Sequence, residues 1–172
     1  MTLREVEARF FPDATSYQVV ALDDVRTPIL RQGIDYWQKI RGSRPFPSRD
    51  DLKPRDIPNI LTHMVLARVI DGGADFELRI VGDEVARAYR APINNRRLGE
   101  IMADLPKTAA SWIELYRRVA VSRSPFSVHV RIGNDAPEVN YVDADIACLP
   151  LGRSDDAVDH LVTFGRRTLS VR

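Results

Sequence analysis

Hydrophobic positions recur along this chain in two rhythms, and the switch between them orders the elements. Residues 1–11 place Leu3, Val6 and Phe10 on one side of a short helix that Pro12 ends. Residues 13–26 show no clear period. At Thr27-Pro28 a capping residue precedes a proline suited to the first helical turn. Ile29, Leu30, Ile34, Trp37 and Ile40 then follow helical spacing as far as Gly42. Residues 42–58 carry four prolines among alternating charges and predict only turns.

Period two then takes over. His63 to Ile70 is rich in Val, Leu and Ile, and Asp71-Gly72-Gly73 is a turn signal. Phe76, Leu78 and Ile80 alternate with Glu77 and Arg79, so the pair reads as a β-hairpin. Asp83 caps a short helix through Tyr89. Residues 90–105 are irregular, broken by Pro92, Asn94-Asn95 and Gly99. From Pro106, the residues Ala109, Trp112, Ile113, Tyr116, Val119 and Ala120 line one face of a helix that Ser124-Pro125 ends. Three strands close the chain: Phe126 to Ile132, residues 138–149 and Asp159 to Leu169, with turns at Gly133–Pro137 and Pro150–Asp156.

Strands joined by tight loops pair antiparallel, and one face of the resulting sheet must be covered. The order therefore predicts an α+β fold. A five-stranded antiparallel sheet carries helices on one face and follows an N-terminal helical extension. The expected division is 1–58 for the extension with its Pro/Arg-rich linker and 59–172 for the core.

Local sequence narrows the fold. Tyr36-Trp37, Arg41-Gly42, Arg44, Pro47-Ser48-Arg49 and Asp56-Ile57-Pro58 with Ile60-Leu61 resemble the N-terminal signature of small bacterial PAS proteins, common in alphaproteobacteria, that carry a helical extension. Phe76 to Gly82 is similar to that family's second strand, and Leu149-Pro150-Leu151 to the end of its fourth. The resemblance spans about residues 27–168. It departs in the middle, where a glycine turn like GRDLTG is expected and only Arg97-Leu98-Gly99 matches. The resemblance implies a sensory or regulatory domain that acts through a small-molecule pocket, protein contacts or both, and the absence of a signal peptide or membrane-spanning stretch makes a cytoplasmic location the expectation. With the chain ending at Arg172 just after the last strand, the expectation is a stand-alone module without its own output domain.

On this pattern the pocket wall is Tyr89, Trp112 and Tyr116 from helices and Phe76, Leu78, Val128, Val130, Ile146 and Phe164 from strands. A dry packed core fits the same residues. The apolar stripe Ile29, Leu30, Ile34, Trp37 and Ile40 lies outside the core and is the candidate surface for a homodimer or a signalling partner.

Charge adds little: 25 basic against 24 acidic residues leave +1, with no global pull toward nucleic acid or anionic membrane. A local alternative is a nucleic-acid contact through Arg41, Arg44, Arg49, Lys53 and Arg55, although Asp50, Asp51 and Asp56 stand ready to pair with them. No stretch reaches membrane-spanning length, and the charged N-terminus is not a signal peptide.

The chemistry is sparse. No nucleophile elbow, P-loop or dinucleotide fingerprint occurs. His63, His129 and His160 form no metal-ligand spacing. Asp143 and Asp145 share a strand face roughly 7 Å apart, beside Tyr141. They are the one carboxylate pair suited to acid–base work in a small pocket enzyme, and equally an ordinary polar sheet face. The resemblance would place a haem-ligating histidine or a flavin-reactive cysteine on the middle helices. Residues 83–123 contain neither, which disfavours standard haem ligation and covalent flavin photochemistry and leaves the cofactor unknown. Cys148, the single cysteine, excludes an intrachain disulfide and reads as a small core residue.

Overall fold

The computed structural model describes residues 14–89, 91–133 and 141–170. The helix expected over 1–11 lies outside the described residues, as does most of the turn at 133–137. The elements run β1 (Ala14–Val19), α1 (Pro28–Arg41), β2 (Met64–Ile70), β3 (Asp75–Val81), α2 (Asp83–Arg87), α3 (Leu98–Ile101), α4 (Pro106–Ser122), β4 (Phe126–Gly133), β5 (Tyr141–Leu151) and β6 (His160–Ser170).

These strands form one sheet in the order β1-β4-β5-β6-β2-β3, with every neighbouring pair antiparallel. β2 and β3 turn through Asp71–Gly73, where Gly72 and Gly73 hold φ of 66° and 108°. Among the described residues the sheet has six strands, one more than expected. The sixth is β1, which pairs Tyr17 with Val130 and Val19 with Val128 on the open edge of β4. Ala14–Val19 carries no run of alternating apolar residues, so its pairing leaves little trace in the pattern.

Both faces of the sheet are covered, not one. Successive strand residues point to opposite sides, and the strands feed two apolar clusters. Leu78, Val128, Val130, Ile146 and Leu161 pack against Leu115, Tyr116 and Val119 of α4. On the other face Met64, Leu66, Leu149, Val162 and Phe164 meet Leu30, Ile34 and Trp37 of α1, together with Phe46, Leu52 and Ile57 of the linker. Residues from both sides of the expected 58/59 boundary thus share one cluster.

The α1 stripe is therefore corrected as a partner surface. Leu30, Ile34 and Trp37 are buried under their own sheet, and only Ile29 and Ile40 remain partly exposed at its margin. Burial of each large apolar side chain is worth about 1.5–3 kcal/mol, enough to hold the helix down. Gly33 permits the close approach, since a Cβ there would collide with the Phe164 ring.

The linker follows α1 onto the same face. Gly42 turns the chain at φ 57°. Tyr36 Oη accepts the backbone N–H of Lys53 at 2.8 Å. Arg44 reaches the loop after β5, donating to Asp155 at 3.1 Å and to the carbonyl of Gly152 at 3.0 Å. Gly152 N–H in turn donates to Pro47 O at 2.9 Å, and a Cβ on Gly152 would stand 2.7 Å from the buried Phe46 ring. Ser48 and Asp51 close a capping box over the next turn.

Candidate functional site

Between the helix-covered inner face and α2–α4 lies a small apolar cavity of about 10 Å³, lined by Val65, Leu78, Val85, Tyr89, Trp112 and Tyr116 with residues of α3 and α4. That is room for about one water molecule, whereas pockets for drug-sized ligands run to about 300–1,000 Å³. A haem or flavin does not fit unless the helices move, and the lining offers neither imidazole nor thiol.

Each wall has a local cause. α4 begins at Pro106 and presents Ala109, Trp112 and Tyr116 in successive turns toward the sheet. The segment before α3 is tied to the free edge of β3. Asn95 N–H donates to Leu78 O at 2.7 Å, Leu78 N–H donates to Arg96 O at 2.9 Å, and the backbones of Glu77 and Arg97 form an isolated antiparallel β-bridge. Asn95 takes φ 57°, a left-handed conformation that asparagine tolerates better than most residues. Gly99 N–H donates to Asp75 Oδ1 at 3.1 Å, and a Cβ there would stand 2.9 Å from the same carboxylate. The divergent middle segment thus delivers Leu98 and Ile101 to the cavity.

The mouth is aromatic. Trp112 Nε1 donates to Tyr89 Oη at 3.0 Å. The Trp112 and Tyr116 rings lie 5.1 Å apart, and Phe76 meets Tyr116 edge-on at 5.4 Å. Arg167 covers the pair from outside, its guanidinium 5.3 Å from the Tyr89 ring and 5.1 Å from the Trp112 ring.

One lining residue, Tyr116, brings a buried polar group to this apolar region. Tyr116 Oη and Thr163 Oγ1 are buried and neither completes a well-formed hydrogen bond with a described protein group. The two hydroxyls are neighbours, and Thr163 also adjoins Cys148. Burial, reinforced by Cys148, raises the Tyr116 phenol well above its ordinary range, while Thr163 pulls the other way. Burial likewise pushes the Cys148 thiol up to about 12.

Of the wall residues expected from the pattern, Leu78, Tyr89, Trp112 and Tyr116 line the cavity, and Phe76 backs Tyr116. Val128, Val130 and Ile146 belong to the same inner cluster without lining it. Phe164 is a correction: it points to the opposite face, against Gly33 of α1. The strand rhythm puts Phe164 in phase with Val162, not with Leu161 and Thr163. Arg167 escaped the sequence reading, although a charged residue in phase with inward-facing Leu161 and Thr163 was a usable signal.

The Asp143/Asp145 pair does not line this cavity. It lies on the outer face, where Arg131 donates to both oxygens of Asp143 at 2.8 and 2.9 Å. Asp145 meets His129 Nδ1 at 2.7 Å and accepts from Thr27 Oγ1 at 3.0 Å. The two carboxylates are drawn to different partners. Of the linker arginines, Arg41 donates to Arg44 O at 2.9 Å and Arg44 to Asp155 at 3.1 Å. Among the described residues no group of three or more His, Cys, Asp or Glu side chains gathers at metal-binding distance. No described helix is long and apolar enough to cross a membrane.

An antiparallel sheet with helices enclosing an apolar interior on one face, and a further helix laid over the other, defines a small α+β domain. A family model described as PAS domain matches residues 25–164, and the chain belongs to that family. The match begins just before α1 and ends within β6, so it takes in the covering helix, the linker and the sheet from β2 to the first half of β6, and leaves out β1. A comparison with curated proteins returns no match.

Proposed function

We propose that this PAS domain is a regulatory sensor whose inner cavity opens to admit a small, mainly apolar molecule and whose response passes to another protein by contact. The observation that carries the reading is an apolar cavity one of whose lining residues, Tyr116, carries a buried hydroxyl without a well-formed partner. A buried polar group without a partner costs about 1–3 kcal/mol. A ligand carrying one hydrogen-bonding group would recover that loss while its apolar body replaces the packing of Trp112 and Tyr89. The polar outer face beyond α1, with its Arg131–Asp143 and His129–Asp145 pairs, supports contact with a partner, a second copy included.

Native mass spectrometry of freshly purified protein, with an absorbance spectrum of the same sample, tests both halves. A retained small molecule that is lost in Tyr116→Phe supports the sensor reading, and a dimer supports the contact. Protein that is free of ligand and stays so after incubation with cell extract overturns the pocket. A strict monomer at high concentration moves the partner to another protein.

A further inference from the structure

A second concavity, about 250 Å³, opens where β6 outruns β2. β2 begins at Met64 opposite Phe164, while β6 continues to Ser170 paired with β5 alone. The turn Leu61–His63 and helix α2 flank the vacated edge, held together by Gly82 N–H donating to Met64 O at 2.8 Å. His63, Arg87, Arg166 and Arg167 line this cleft, with Glu84 its single carboxylate.

The charges do not balance. Glu84 is taken by Arg87 at 2.8 Å. Arg166 has only a long pair, 3.6 Å, to Asp145 on the outer face. Arg167 has no ion-pair partner among the described residues and rests on the Tyr89 and Trp112 rings. The half-buried His63 donates its backbone N–H to Ile60 O, and its imidazole has no hydrogen-bond partner among the described residues. Val85 belongs to the walls of both the cleft and the inner cavity, so the two lie back to back.

We infer that the cleft is an oxyanion site. It takes the carboxylate or phosphate group of a small molecule on Arg87, Arg166 and Arg167, and its occupation draws Arg167 off the aromatic mouth of the inner cavity. The chemistry follows from the guanidinium. Its planar fork matches two oxygens of a carboxylate or phosphate, and such charge-assisted pairs outcompete a half-exposed cation–π contact. An anion in the cleft and a guanidinium over Trp112 are therefore alternatives for the same side chain. The inference stands apart from ligand entry into the cavity, since the cleft is open in the closed state.

The test titrates the purified chain with inorganic phosphate and, separately, with succinate, at ionic strength held constant with chloride. Calorimetry reads binding and tryptophan emission reads Trp112. The expected result is saturable binding of one equivalent with a change in emission, weakened at least tenfold by Arg167→Gln and by Arg87→Gln and unchanged by Arg153→Gln. Saturation by phosphate alone or by succinate alone names the source of the oxyanion. Binding of neither, or binding that both cleft variants retain, overturns the site. Binding with unaltered emission, in wild type and in Trp37→Phe alike, overturns the link to the mouth. Circular dichroism of the glutamine variants, Arg87 exposed and Arg167 half-buried, separates lost binding from lost fold.

Discussion

The indole N–H of Trp37 donates to the carbonyl of Pro150 across 2.9 Å, joining α1 to the end of β5 within a buried environment. Pro150 is paired with Leu161 in β6, so this one bond ties the covering helix to two central strands. It joins two stretches that each resemble the family, Tyr36-Trp37 and Leu149-Pro150-Leu151, although Trp37 and Pro150 lie 113 residues apart. Proline lacks an N–H but keeps its carbonyl, and that carbonyl needs a donor once buried.

Replacing Trp37 with Phe keeps most of the apolar surface and strands the Pro150 carbonyl. The expected loss is about 1–3 kcal/mol, against about 3–5 kcal/mol for Trp37→Ala, which also leaves a cavity. Urea melts of the two variants check both figures. If Trp37→Phe is as stable as wild type, the bond contributes nothing and α1 is held by packing alone.

Gly33 and Phe164 form the tightest point of the same interface. In an exposed helix Gly→Ala would stabilise by about 1 kcal/mol. Here the added methyl meets the Phe164 ring, so Gly33→Ala is expected to destabilise by about 1–3 kcal/mol, as overpacked cores do. In a chain of this size that lowers Tm by about 2–4 °C per kcal/mol. Phe164→Leu makes room, so the double variant should be more stable than the two single losses added together. Strict additivity would show that the two residues do not meet.

How much of this was legible in the sequence depends on how local each determinant is. β2, β3, α4 and the last three strands announced themselves because their apolar residues repeat at one period. The stripe on α1 was equally plain, but periodicity says that a face is buried and not against what. The cover it found was the chain's own sheet, through contacts such as Trp37 to Pro150 that no local window contains. β1 was missed because an edge strand is held largely by backbone pairing. Trp112 and Tyr116 were legible as cavity residues because they share the apolar face of α4, and Leu78 because it falls on the apolar phase of β3. Phe164 was placed on the wrong side by one register step, which in a strand reverses the face.

Asp145 is expected to act as a fastener between layers. Its carboxylate accepts from Thr27 at the start of α1, pairs with His129 of β4 and lies 3.6 Å from Arg166 of β6. Asp145→Ala removes all three contacts and should cost about 1–2 kcal/mol, more than the 0–1 kcal/mol typical of an exposed ion pair. Asp143→Ala breaks a two-bond pair with Arg131 within the sheet and touches no described residue of α1, so it should leave the exchange of α1 unchanged. Hydrogen exchange should localise the Asp145→Ala effect to the first turn of α1. A uniform change across the sheet would contradict the fastening role.

Alkaline pH should loosen the inner core through Cys148 and Tyr116. Burial pushes the Cys148 thiol to about 12 from an ordinary 9.0, and it raises the Tyr116 phenol as well. Below pH 9 both folded and unfolded chains keep the thiol proton, and the stability is whole. Above it the unfolded chain releases the proton while the folded chain holds it. The unfolded state is then favoured by up to about 1.4 kcal/mol per pH unit until the folded thiol itself titrates near 12. Tyr116 adds to the slope from about pH 10 upward. Melting temperatures should therefore be flat from pH 7 to 8.5 and fall between pH 9 and 11. Cys148→Ala should start lower, for lost packing, and fall less steeply over the first part of that range. The same burial predicts that native protein resists thiol reagents at pH 8 and reacts at once in denaturant. Rapid labelling of the native chain, or identical slopes for wild type and Cys148→Ala, would place the thiol outside the core.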